Sequence, residues 1–214
     1  MRFRLAMTAL AIVAAAAVFA PAAKAADVCD PGKLTVLTLD NQAVLEIDKY
    51  WGNPRDFEKA TTFILAARLL ADSGKYVRVV NAPGISLFNS DKRINIEAVG
   101  KAAGEDAGCF VAVGAVTEAI VDTSRSAKLP MIKKKFKIRA AARLALVDLR
   151  EEKELFNDLF VGSHETSDLP TEFLDAHKQQ DLPIDPVQAG GSGMGIPFSR
   201  MFTQYSKKAL EIIK

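Results

Sequence analysis

Histidine and cysteine are scarce: 214 residues carry two of each, with a single tryptophan. The two cysteines, Cys29 and Cys109, form no Cys-x-x-Cys pair, so a dithiol redox centre is excluded. His164 and His177 sit close together in sequence, outside any nucleophile-elbow motif, so a hydrolase triad finds no support. There is no Gly-rich phosphate loop ending in Lys-Ser or Lys-Thr and no internal repeat. A surplus of charge is missing as well, with 28 Lys and Arg against 26 Asp and Glu. That balance gives no electrostatic case for nucleic acid, whose binding rests on clustered cations neutralising phosphates.

One long apolar run is present, at the start. Arg2 and Arg4 precede an uncharged stretch from Leu5 to Ala20, shorter than the roughly twenty residues a spanning helix needs. Pro21 breaks it, and Ala23-Lys24-Ala25 places small residues where signal peptidase reads them. The expectation is a signal peptide over residues 1–25, cleaved before Ala26, and a single mature domain over 26–214 delivered to the periplasm. Asp27-Val28 before Cys29 fit a lipoprotein box poorly, so the mature chain is expected without lipid and without a transmembrane segment. Cleavage removes Arg2, Arg4 and Lys24, which leaves 25 basic against 26 acidic side chains and a net charge near −1.

Along the mature chain, Lys33 to Leu39 alternates polar and apolar residues as a strand does, and Asp40-Asn41 ends it. After Tyr50 and Trp51, Asn53-Pro54 opens a helix with Phe57, Ala60, Ile64, Ala67 and Ala71 at helical spacing, which Gly74 stops. Tyr76 to Val80 is a second strand, turned away by Asn81-Ala82-Pro83-Gly84, and a weaker helix follows from Ile94 to about Ala103. Cys109 to Val121 begins with the unbroken apolar run of a strand covered on both faces. Phe136 to Val147 alternates, Asp148 to Glu154 is a charged turn, and Leu155 to Val161 returns. The fold class is therefore α/β: a mixed sheet of about five strands, two βα units followed by an antiparallel meander over 109–161, with packing helices and a C-terminal helix near Phe198 to Ile213. Val111, Val113, Ile138 and Leu144 are expected in its buried faces.

A βαβ crossover places the first and third strands side by side, which brings Cys29 and Cys109 to the same end of the sheet. In an oxidising compartment that arrangement permits a disulfide; two buried free thiols are the alternative.

Several phrases carry a resemblance. They are Leu34-Thr35-Val36-Leu37, the helix ending Leu70-Ala71-Asp72-Ser73-Gly74-Lys75-Tyr76, the strand Val77 to Val80, Gly108-Cys109-Phe110-Val111-Ala112-Val113-Gly114-Ala115-Val116-Thr117-Glu118, and Arg143-Leu144-Ala145-Leu146-Val147-Asp148. Over residues 34–165 the chain resembles the superfamily of envelope proteins that includes the CsgG-like secretion proteins, the LpoB-like activators of penicillin-binding proteins and the N-terminal domain of TolB. It departs from the pore-forming members in lacking paired amphipathic segments for membrane hairpins. Cys109 stands where a polar residue is common there, which favours the disulfide.

The resemblance implies a non-enzymatic, soluble periplasmic accessory protein that binds another envelope protein in assembly or secretion, with no cofactor. A small-ligand binding or sensing module is the alternative, with Gly190-Gly191-Ser192-Gly193-Met194-Gly195 and the helix after it as the site. A homo-oligomeric secretion component is a third reading. Residue groups that could carry other chemistry all have plainer readings. His164, Glu165, Asp168, Asp175 and His177 are of metal-ligand type but match no metal signature, and read as a solvated acidic loop. Met131, Met194 and Met201 are soft ligands for copper on paper and gap-fillers in practice. Lys133-Lys134-Lys135 reads as a solvated hairpin end, with docking of an acidic partner or anionic lipid as the other use.

Overall fold

The computed structural model describes residues 29–43, 54–82, 87–89, 91, 93–128, 131–167 and 195–213, with backbone alone at 54, 125–128 and 131–134. The leader and its cleavage point, Tyr50, Trp51, Pro83-Gly84, Asp168, Asp175, His177 and 190–194 lie outside the described residues.

Among the described residues, six strands and three helices follow one another as β1 (Asp30–Leu37), β2 (Asp40–Asn41), α1 (Pro54–Ser73), β3 (Tyr76–Val80), α2 (Ile96–Ala103), β4 (Gly108–Lys128), β5 (Met131–Asp148), β6 (Lys153–Thr166) and α3 (Ile196–Ile213). They build one mixed sheet in the order β3-β1-β4-β5-β6, with β2 paired to β4 beside β1. β1 runs parallel to both β3 and β4, as two crossovers through α1 and α2 require. β4, β5 and β6 are the antiparallel meander.

Several boundaries differ from expectation for local reasons. Asp40-Asn41 does not end a strand; it forms a second short one against Ala115 and Val116. The interruption before it is held by α1, because the Thr62 hydroxyl accepts the Leu39 N–H at 2.9 Å. α2 begins at Ile96, not Ile94: Asn95 caps it by accepting the Ala98 N–H at 3.1 Å, while Ile94 bridges to Phe88. The turn is only 149–152, since Asp148 stays in β5 and is buried. β6 runs on to Thr166, so His164 and Glu165 are strand residues, not loop residues.

The sheet is covered unequally. α1 and α3 pack together on one face, with Phe57 edge-on to Phe198 at 5.7 Å. Because α1 packs on the sheet and has α3 along its flank, it is buried around most of its circumference, at Phe57, Ala60, Ile64, Leu65 and Leu69. Gly74 closes it with φ +63°, a backbone state that suits glycine, and donates its N–H to Leu70 O. On α3, Phe198, Met201, Phe202, Tyr205 and Ala209 are buried against Leu144, Phe156 and Phe160 of the sheet. Tyr205 is fully enclosed, and its hydroxyl donates to Ala145 O at 3.0 Å. α3 comes this close because Gly162 has no side chain, so the Pro197 backbone sits where a Cβ would be.

α2 covers the opposite face, and only one end of it. Val99 and Ala103 pack there on Leu37, Val111, Val113, Ala145 and Val147. Val111, Val113, Ile138 and Leu144 are all fully buried, as the apolar run of β4 and the alternation of β5 predicted.

Candidate binding site

Three features of the sheet concern function. The first is its Cys29 end, where a disulfide joins Cys29 to Cys109 with the Cα atoms 4.8 Å apart. Neighbouring pairing holds the same end together, as Asp30 donates its N–H to Ala107 O at 3.1 Å. A cavity of about 560 Å³ opens beside the bond, lined by Ile96, Glu97, Gly100 and Leu149 among others. The adjoining β5–β6 turn is fixed by Asp148. Its Oδ1 accepts the Arg150 N–H at 2.9 Å, and its Oδ2 meets Arg150 Nη2 at 2.9 Å. Burial pushes the Asp148 carboxyl up, but the Arg150 side chain and the turn's backbone N–H groups outweigh it and hold the pKa below the ordinary value. Arg150 also lies over the Phe110 ring, 5.0 Å from its centre.

The second feature is the half of the sheet that α2 leaves bare. Successive strand residues alternate between faces, so Phe156 and Phe160 enter the core while Leu159 and Val161 point the other way. Leu159 is 55% exposed, Val161 45% and Ile120, on the same face of β4, 42%. Arg139 stands among them, paired with Glu118 at 2.9 Å, and Lys137 and Glu165 face each other across β5 and β6. The free edge of β6 is not part of this opening. Arg200 donates to Ser163 O at 2.6 Å and Gln204 to Val161 O at 3.1 Å, and Lys208 pairs with Asp158. One ridge of α3 thus occupies carbonyls that an added strand would need.

The third feature is a cavity of about 320 Å³ at the margin of α2, lined by Asp40, Leu87, Phe88, Thr117 and Arg143 among others. Asp40 opposes Ala115, and Ala115 opposes Arg143, so the three lie in one row across β2, β4 and β5.

Of the metal-type residues, His164 and Glu165 are described, and they do not converge. His164 and Glu165 are neighbours in a strand and so face opposite sides of the sheet. His164 opposes buried Ile138, and burial, with the Arg200 charge, lowers its pKa. Among the described residues no group of three or more His, Cys, Asp or Glu could hold a metal ion. Met201 is fully buried in the core, Met131 opens β5, and Met194 is outside the described residues. Lys133, Lys134 and Lys135 lie in β5 near the β4–β5 hairpin, and Lys135 is exposed. Of the glycine-rich stretch only Gly195 is described; its carbonyl accepts the Ser199 N–H in the first turn of α3. Among the described residues no helix is long and apolar enough to cross a membrane. The sequence did not point to the bare face or the Asp40–Arg143 row. The one signal for either was the polar turn that the β5 alternation takes at Arg139 and Arg143.

The arrangement defines a class: a six-stranded mixed α/β sheet, fully covered on one face and half covered on the other, stapled by a disulfide. Neither a protein-family model nor a curated protein matches the chain. Solved structures do. The hypothetical protein CT253 from Chlamydia trachomatis is 14% identical, with a TM-score of 0.53 over 85% of this chain and 97% of that one, and shares the fold. A PelC dodecamer from Paraburkholderia phytofirmans is 15% identical, with a TM-score of 0.42 over 81% and 88%. A minor lipoprotein from Acinetobacter baumannii is 9% identical, with a TM-score of 0.37 over 85% and 94%.

Proposed function

We propose that the chain is a non-enzymatic, soluble periplasmic accessory protein of the bacterial envelope, freed of its leader before Ala26 without a lipid, that works by binding another envelope protein. The observation that carries this is the half of the sheet that no described element covers. Leu159 and Val161 expose neighbouring apolar side chains on β6 of a rigid three-stranded platform, and Ile120 a third on β4, with the Arg139–Glu118 ion pair between them. Exposed apolar side chains beside an arginine ion pair suit a protein-binding surface. The disulfide supports an oxidising compartment. The resemblance to the CsgG, LpoB and TolB N-terminal group supports a role in envelope assembly or secretion.

The test is recovery of cross-linked partners from envelopes, comparing the parent with the double variant Leu159→Lys, Val161→Lys. Both side chains are largely exposed, so the variant is expected to unfold within about 2 °C of the parent. A specific partner recovered with the parent and lost from the folded variant is expected. Equal recovery by both, or no enriched partner with the parent, overturns the proposal.

A further inference from the structure

The Asp40–Arg143 cavity adjoins the apolar platform, with Leu159 opposite Arg143, but its chemistry points elsewhere. Cross-strand register fixes its walls: Asp40, Ala115 and Arg143 share a row and therefore a face, and two strand spacings put the outer backbones about 10 Å apart. Ala115, between them, has the smallest side chain a strand can carry without becoming glycine, so the floor is low. The next covered row of the sheet, with Val113 and Ala145, belongs to the core under α2. Phe88 and Leu87 supply an apolar wall, and Gln42 and Asn89 add amides. A register shift between Val116 and Glu118 takes Thr117 out of the strand register and sets it in the lining, with its hydroxyl donating to Ala141 O at 3.2 Å.

Opposite charges on facing walls would ordinarily pair, yet no ion pair among the described residues joins Asp40 to Arg143. The Asp40 carboxylate accepts no hydrogen bond from a described residue. Arg143 makes one long hydrogen bond, from Nη1 to Asn157 Oδ1 at 3.4 Å, which leaves most of its five N–H donors for something else.

We propose that this cavity binds a small zwitterion, a free amino acid or a short peptide, with its ammonium group on Asp40 and its carboxylate on Arg143. A lone anion would meet the Asp40 carboxylate and a lone cation the Arg143 guanidinium, whereas a molecule carrying both charges satisfies both walls. A guanidinium fork matches a carboxylate in two hydrogen bonds. At about 320 Å³ the cavity is at the small end of ligand sites, which suits an amino acid or dipeptide. Burial already raises the Asp40 pKa, so a ligand ammonium would offset a desolvation that nothing in the protein compensates.

The test is thermal unfolding of the purified chain with each of the common free amino acids and with dialanine, each at about 10 mM, which is a hundredfold excess for a Kd of about 0.1 mM. At least one probe is expected to raise Tm by about 5 °C or more. Acetylating its amine or amidating its carboxylate is expected to abolish the shift, as is either Asp40→Asn or Arg143→Gln. Asp40→Asn removes an unpaired, half-buried carboxylate, so its own fold is expected to persist. Arg143→Lys serves where Arg143→Gln unfolds, and is expected to weaken binding about tenfold by replacing the fork with a point charge. The proposal is overturned if no probe shifts Tm by more than about 1 °C, if a capped form stabilises as well as the free one, or if either folded variant responds like the parent. Leu159 opposes Arg143 in this row, so the separation is tested with Ile120→Lys, Val161→Lys, whose positions oppose Arg139 and Ala141; that variant is expected to lose the partner and keep the ligand response. Loss of partner binding and loss of ligand binding are therefore separable.

Discussion

Reduction of the Cys29–Cys109 disulfide is expected to lower stability by about 4 kcal/mol. The bond closes a sequence separation of 80 residues that contains β1, α1, β3 and α2. In the chain-entropy description, freeing a loop of that length restores about 4 kcal/mol of conformational entropy to the unfolded chain. The native state loses little in return. β1 and β4 remain paired through Asp30 and Gly108, and the Cys109 carbonyl still accepts the Leu149 N–H at 2.9 Å. The reduced protein should therefore fold to the same sheet and melt lower. At roughly 2–4 °C per kcal/mol for a chain of this size, Tm should fall by about 8–16 °C. Thermal unfolding with and without a phosphine reductant measures it, with thiol alkylation of each sample confirming the redox state. Cys29→Ala should lose a similar amount without any reductant. A protein shown to carry two free thiols that melts within about 2 °C of the oxidised form would refute the reasoning, because the loop constraint would then contribute nothing.

Replacing Gly162 by Ala drives a Cβ into the Pro197 carbonyl, with Pro197 C only 2.7 Å away. The α3 N-terminus must shift, and a loss of about 1–3 kcal/mol is expected in chemical unfolding; a change under about 0.5 kcal/mol would contradict the close packing of α3 on β6. Replacing Asp148 by Asn should cost about 1–2 kcal/mol at neutral pH, discounted because Arg150 is 38% exposed on its side chain. Asp148 has a folded pKa below its ordinary 3.8, so its stabilisation is complete above that value and is lost as pH falls through the lower folded one. The stability gap between parent and variant should accordingly close in acid, and a gap independent of pH down to that window would show that the charge plays no part.

Much of the fold was legible because period-2 alternation and helix stop signals survive in the sequence. β5 is the clearest case: Ile138, Ala140, Ala142 and Leu144 form its buried face as the alternation predicts. Placing the first strand beside the apolar run at Cys109 needed only the crossover rule, and the pairing of β1 with β4 follows it. The short β2 was illegible, because a hydroxyl from α1, far along the chain, holds the break that creates it. β6 was legible as a returning strand over Leu155 to Val161 but not in its exposure: apolar residues stand on both faces, and Leu159 and Val161 are exposed. Such residues mark a surface whose covering element does not come from α1, α2 or α3. The Asp40–Arg143 row could not be read in advance, since two ordinary surface charges become a pair of walls only once the register of three strands is known.

The central claim is that the bare half of the sheet is where this protein meets its partner, and site-specific photo-crosslinking in intact cells tests it most directly. A photoreactive residue would be placed in turn at Ile120 and Leu159 on that face, and at Tyr76 and Ile212, which are 63% and 42% exposed elsewhere. One discrete adduct from Ile120 and Leu159, absent from Tyr76 and Ile212, is the predicted result. Adducts from all four positions alike, from the two outside positions alone, or from none of them would contradict it.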